Sequence, residues 1–227
     1  MSLMRPRRPG GDPVLLTRRR IAASILAAVG ALAAGCTVFL PSGSGAVLFQ
    51  DDFSRSTTGW QTFQETAYQA DYVDGAFRVR VDAPNTLAWS TPHFELGDVR
   101  LDVDTTALGG PADNTFGLVC RFRDPGNFYF LLVSSDGYSG IGVVRDGQRS
   151  LLTGSAMLPS DYLVQGMTAN HLRADCVGPR LSLYINGALA NEAAAADWDS
   201  GDVGVIVGSY AAPGVDIQFD NFTIANP

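Results

Sequence analysis

Lysine is absent from this chain, so all sixteen of its basic side chains are arginines. A glycine-rich phosphate loop closed by Lys-Ser or Lys-Thr is therefore excluded, and with it the usual apparatus of phosphoryl transfer. Histidine occurs only at His93 and His171. Neither lies in a recognisable nucleophile context, and neither clusters with cysteine, which argues against Ser-His-Asp or Cys-His catalysis and against a zinc site. Glutamate is limited to Glu65, Glu95 and Glu192, and none of these is spaced to flank a scissile bond as a pair. From Val47 onward there is no long apolar pattern of period 3.6. Nor is there a repeat of fixed length, which counts against propellers and solenoids.

What is present is acidity after the first segment. The net charge of −7 includes six arginines and one aspartate placed before Cys36, which contribute +5, so the remainder carries −12. Such a surface repels nucleic acid and anionic lipid headgroups, and leaves neutral or cationic partners open. With 46% hydrophobic residues, the chain can bury one sizeable core.

The N-terminus has an Arg-rich start, an apolar run from Ile21 to Leu32 and small residues up to Gly35, the three parts of an export signal. The run is too short for a comfortable membrane span. Leu32-Ala33-Ala34-Gly35-Cys36 resembles the lipobox of bacterial lipoproteins, which implies acylation of Cys36 and anchoring on the outer face of the bacterial cell membrane. Thr17-Arg18-Arg19-Arg20-Ile21 also resembles a twin-arginine signal. Residues 1–35 thus read as a signal segment, 36–46, rich in Gly, Ser and Pro, as a flexible tether, and 47–227 as one domain.

That domain reads as short strands. Phe77, Val79 and Val81 alternate with polar residues, as do Val99, Leu101 and Val103, then Leu172, Ala174 and Cys176, then Leu181, Leu183 and Ile185. Val215, Ile217 and Phe219 continue as Phe222 and Ile224 out of phase, which predicts a bulge at Asp220-Asn221. Asp74-Gly75, Asp136-Gly137, Asp146-Gly147, Asn186-Gly187 and Ser200-Gly201 mark turns, and Asp124-Pro125-Gly126-Asn127 reverses the most strongly patterned stretch, Gly117 to Val133. Only Glu192 to Ala196 looks helical. The pattern predicts an all-β, two-sheet antiparallel jelly-roll sandwich. Cys120 and Cys176 share the apolar parity of their strands, so both should point inward, either as a disulfide in an oxidising compartment or as two separate buried thiols.

The succession D-D-F-S…G-W (Asp51 to Trp60), D-G-A-F-R-V (Asp74 to Val79), G-L-V-C-R-F (Gly117 to Phe122), N-F-Y-F (Asn127 to Phe130) and S-S-D-G-Y (Ser134 to Tyr138) resembles a concanavalin A-like, laminin-G-like jelly-roll domain. The series continues through N-H-L-R-A-D-C-V-G (Asn170 to Gly178), L-Y-I-N-G (Leu183 to Gly187), G-D-V-G-V (Gly201 to Val205) and F-D-N-F (Phe219 to Phe222). It is similar to domains of bacterial surface lipoproteins and, more distantly, to the fold of the 3-keto-disaccharide hydrolase domain. The resemblance implies two facing sheets, one convex and one concave, in a superfamily that holds lectins, carbohydrate-binding modules, glucanases and protein-binding modules.

Three site expectations follow from it. A glucanase would carry alternating acids on one strand, and the nearest stretch here is Asp98, Asp102 and Asp104, which any solvated sheet face would also supply. A structural calcium joining the first and last strands would use Asp51, Asp52, Asp220 and Asn221. A glycan groove would combine exposed rings with guanidinium. Taking Leu118, Phe128 and Leu183 as inward-facing puts Arg121, Tyr129 and Tyr184 outside, and Trp89 lies in a polar segment near another strand end. Binding of extracellular or cell-wall glycan, a glycosidase-like activity and a structural or protein-interaction role are all compatible with these residues.

Overall fold

The computed structural model describes residues 44–227. The expected export signal, the expected acylation site Cys36 and most of the expected tether lie outside the described residues. In chain order the strands are β1 (Val47–Asp51), β2 (Phe63–Gln64), β3 (Tyr68–Val73), β4 (Ala76–Val81), β5 (Leu87–Ser90), β6 (Val99–Gly109), β7 (Asn114–Asp124) and β8 (Asn127–Ser134). They continue as β9 (Tyr138–Arg145), β10 (Gln148–Leu151), β11 (Leu158–Pro159), β12 (Ala169–Val177), β13 (Arg180–Ile185), β14 (Ala188–Ala194), β15 (Asp202–Ser209) and β16 (Val215–Ala225).

These strands form two antiparallel sheets. The nine-stranded sheet runs β14-β13-β12-β6-β16-β4-β3-β2, with β1 also paired to β16. The seven-stranded sheet runs β10-β9-β8-β7-β15-β5, with β11 paired to β9. In the nine-stranded sheet the alternation holds: Val79, Leu101, Leu172, Leu183 and Ile217 are fully buried. Opposite-facing residues form cross-strand charge pairs, Arg78 with Asp216 and Arg100 with Asp175. The predicted bulge is present, since β16 shifts register against β6 between Asp220 and Thr223, with Asn221 at φ 52°. The segment from Glu192 is not helical: residues up to Ala194 belong to β14, where Ala193 and Ala194 pair with Leu181 and Arg180. Edge pairing outweighs alanine's helical preference over so short a run.

Cys120 of β7 and Cys176 of β12 form a disulfide with Cα atoms 6.8 Å apart, so one covalent link crosses from sheet to sheet inside the core. The chain enters beside its own C-terminus, where the Gly45 N–H donates to the Asn226 carbonyl at 2.8 Å. The β7–β8 and β12–β13 turns lie at this same end. The β6–β7 connection and the β8–β9 and β13–β14 turns lie at the other.

Candidate functional site

The outer face of the seven-stranded sheet differs from that of its partner. Val119, Phe128, Phe130, Leu132, Val144 and Ile206 form a second apolar cluster there, separate from the main core. Both faces of these strands are apolar, so alternation alone does not say which is inside. The residues facing the main core are Tyr129, Leu131 and Val133. Phe128 therefore points outward, and the expectation that Tyr129 faces solvent is overturned. Tyr129 is wholly buried; its hydroxyl donates to the Asp197 carboxylate at 2.8 Å, and burial raises its pKa.

Arg121 is also inside. The β7–β8 register shifts between Cys120 and Asp124, and Arg121 takes φ 51°, so the bulge turns its side chain inward and brings Phe122 out against Trp89 and Phe128. Its guanidinium donates to the Trp198 and Gly178 carbonyls at 2.9 and 2.8 Å, pinning two loops. Trp89 is half-buried on the outer face of β5, lining a cleft with Phe63 and Tyr68. Tyr184 lies on β13 of the opposite sheet, in a cleft with Arg180 and Glu192. The four residues expected to share one groove are thus divided between the interior and two different faces.

A cleft that those four do not line opens on this outer face. It has a volume of about 440 Å³, within the range of small-ligand sites. Thr115, Phe130 and Leu132 lie on the sheet strands beneath it, Leu87 and Tyr210 on one side, and Arg149, Ser150, Leu151 and Met157 on the other. Two glycines let these elements approach. A Cβ at Gly142 would lie 2.3 Å from the Phe130 ring and 2.5 Å from the Ser150 carbonyl oxygen, and one at Gly208 would lie 2.4 Å from Leu87. The Tyr210 hydroxyl reaches the Met157 Sδ at 3.8 Å. Burial raises the Tyr210 pKa, with Asp113 and Asp136 adding to the shift and Arg149 opposing it, so the hydroxyl stays protonated and able to donate. Ser150, Ser155 and Ser209 add hydroxyls; no Asp, Glu or His lines the cleft. Sequence reasoning missed Arg149 and Tyr210, although the Gly140-Ile141-Gly142 alternation opposite Leu132 and Phe130 signals a strand laid open on one face.

The expected calcium ligands do not assemble. β1 does lie beside β16, but Asp51 is buried and both its oxygens are taken, by the Phe53 N–H at 2.8 Å and the Trp60 Nε1–H at 3.0 Å. Asp52 accepts from Ser54, and the Asn221 amide donates to Asp104. Among the described residues no three His, Cys, Asp or Glu side chains are grouped to hold a metal.

Asp102 and Asp104 face outward from the nine-stranded sheet, away from the cleft, where both clasp His171: Nε2 to Asp102 at 3.0 Å and Nδ1 to Asp104 at 2.8 Å. Arg173 also donates to Asp102 at 2.7 Å, while Asp98 caps the Gly178 N–H at 2.7 Å. The hydrogen bond to Asp102 leads in raising the His171 pKa. Burial pushes the Asp102 carboxyl up, but the bonds from His171 and Arg173 outweigh it and leave the pKa lowered. A folded pKa above the unfolded value gives stability that is complete below about pH 6.5 and disappears as pH rises through the folded value. The melting-temperature gap between the native protein and His171→Asn is expected to be full at about pH 5.5 and to narrow as pH rises above about 6.5. A gap independent of pH would show that the imidazolium contributes nothing.

No family model and no curated protein matches the sequence. Solved structures do match. The carbohydrate-binding module CBM66 from Bacillus subtilis superposes with a TM-score of 0.60 at 20% identity, over 74% of this chain and 96% of that one. The fold is a concanavalin A-like jelly roll. Further matches are the Bacillus licheniformis beta-glucanase (TM-score 0.59, 11% identity, 82% of this chain and 100% of that one) and a Bacillus subtilis protein of unknown function with a galectin-like fold (TM-score 0.58, 12% identity, 81% and 97%).

Proposed function

We propose that this jelly roll is an exported, lipid-anchored module that binds extracellular or cell-wall glycan in the cleft between Tyr210 and Arg149. The observation that carries the reading is the make-up of that cleft. A sugar offers apolar C–H faces and a rim of hydroxyls, and the cleft offers aromatic rings, a guanidinium and several hydroxyls in one depression. Hydrolysis would call for two carboxyl groups about 5–9 Å apart across the bond. The lining has no carboxyl group, which favours binding over turnover.

A glycan array probed with the detergent-solubilised protein tests the reading. Tyr210→Ala is expected to weaken the strongest interaction about tenfold, the loss of one stacking platform, at unaltered melting temperature. Equal affinity of both proteins would move the site elsewhere, turnover on a polysaccharide panel would favour a glycosidase-like enzyme, and retention on a protein partner unaffected by free sugar would favour an interaction module. Anchoring is tested separately. Cys36→Ser should shift the protein out of the membrane fraction or leave it unprocessed, and unchanged lipid labelling of that variant would exclude Cys36 as the acylated residue.

A further inference from the structure

Arginine in this domain is mostly spoken for. Arg78, Arg100, Arg145 and Arg173 each sit against a carboxylate, on Asp216, Asp175, Asp197 and Asp102. Where an arginine lines a cleft, acids stand beside it: Asp197 and Asp199, or Asp202, near Arg123, and Asp98, Asp175 and Glu192 near Arg180. Arg149 breaks this pattern. It is exposed on β10, has no ion-pair partner among the described residues, and is the one charged side chain lining its cleft. A chain so rich in aspartate has left one depression whose lining holds a cation and no carboxylate.

Resting on the glycan reading above, we infer that the ligand supplies the missing charge: the cleft takes a short oligosaccharide bearing a carboxylate, a hexuronate, with Arg149 gripping the carboxylate while Tyr210 and Phe130 meet the ring faces. A guanidinium presents parallel N–H donors that match the two oxygens of a carboxylate, and a partly enclosed apolar floor strengthens such a pair relative to open water. A single cation suits a singly charged group better than a phosphate monoester, which carries nearly two charges. Asp113 and Asp136 act on the Tyr210 hydroxyl from outside the lining, and Asp136 already accepts from Ser134. The domain's overall negative charge opposes a long polyanion, but it is screened within about 8 Å at physiological salt, so a short acidic oligomer is favoured over an extended one.

The test uses matched pairs of oligosaccharides, each uronate-bearing and carboxyl-reduced, titrated calorimetrically into the detergent-solubilised protein, with a sulfated and a phosphorylated oligosaccharide as further arms. The acidic member of a pair should bind at least about tenfold more tightly, an advantage that shrinks as salt is raised. Arg149→Gln should bring the two members to within about twofold of each other. Equal affinity of acidic and reduced members in the native protein overturns this inference and leaves the glycan reading standing. A preference that survives Arg149→Gln, or tighter binding of the sulfated or phosphorylated ligand, overturns the assignment of a carboxylate to Arg149. Failure of every sugar to bind removes the glycan reading itself, and this inference with it.

Discussion

Replacing Cys120 and Cys176 together by alanine should lower the stability of the domain by about 4 kcal/mol, the loop-closure value for cysteines 56 residues apart. Over a domain of this size that corresponds to a fall in melting temperature of about 10 °C. Both sulfurs lie within the main core, in strands of different sheets, so the bond restricts the unfolded chain and also ties the sandwich across its thickness. Alanine leaves a small void where each sulfur was, which adds to the loss. Reducing the native protein with dithiothreitol should reproduce most of the shift, and the double variant should ignore the reagent. If the native and double-variant proteins melt at the same temperature, the cross-link contributes nothing.

Gly142→Ala is the second large effect. The added methyl would overlap the Phe130 ring and the Ser150 carbonyl, and although a ring can rotate away, the carbonyl belongs to the strand that carries Arg149. Strand β10 must therefore shift outward from β9, at a cost of about 1–3 kcal/mol. Because the same strand forms one side of the cleft, glycan affinity should fall more than tenfold in a protein that remains folded. Full affinity in Gly142→Ala would mean that the position of β10 does not matter to the ligand.

How far the structure could be read from residues depended on which sheet they entered. In the nine-stranded sheet β4, β6 and β12 pair an apolar face with a charged one, so Val99, Leu101 and Val103 declared their inward direction, as did Leu172, Ala174 and Cys176. The hairpins were equally legible: Asp74-Gly75, Asp146-Gly147 and Asn186-Gly187 all place both turn residues at positive φ. In the seven-stranded sheet, Phe128 to Val133 carries no polar marker, and choosing Phe128 as the inward residue reversed the strand and sent Tyr129 to the wrong side. Arg121 failed for another reason. Counting alternation from the inward Leu118 put it outside, but a bulge set by distant pairing breaks that count after Cys120 and turns it toward backbone carbonyls. The cleft was not readable because it depends on non-local contact. Tyr210 and Met157 are 53 residues apart, and only the folded sheet brings them together.

The placement of the chain entry bears on how this domain would carry mechanical load. Tension applied at Ala46 and resisted by a ligand held in the cleft would run along the strands, since the entry lies at one end and Thr115, Ser209 and Leu87 lie toward the other. The β1–β16 hydrogen bonds would then be sheared together rather than opened one after another, so each would bear only part of the pull. Passing from the sheet that holds the entry to the sheet that holds the cleft, the same force must cross the core, and Cys120–Cys176 is the covalent strut on that path. Under tension it would hold the two sheets in register after side-chain packing between them had begun to slip.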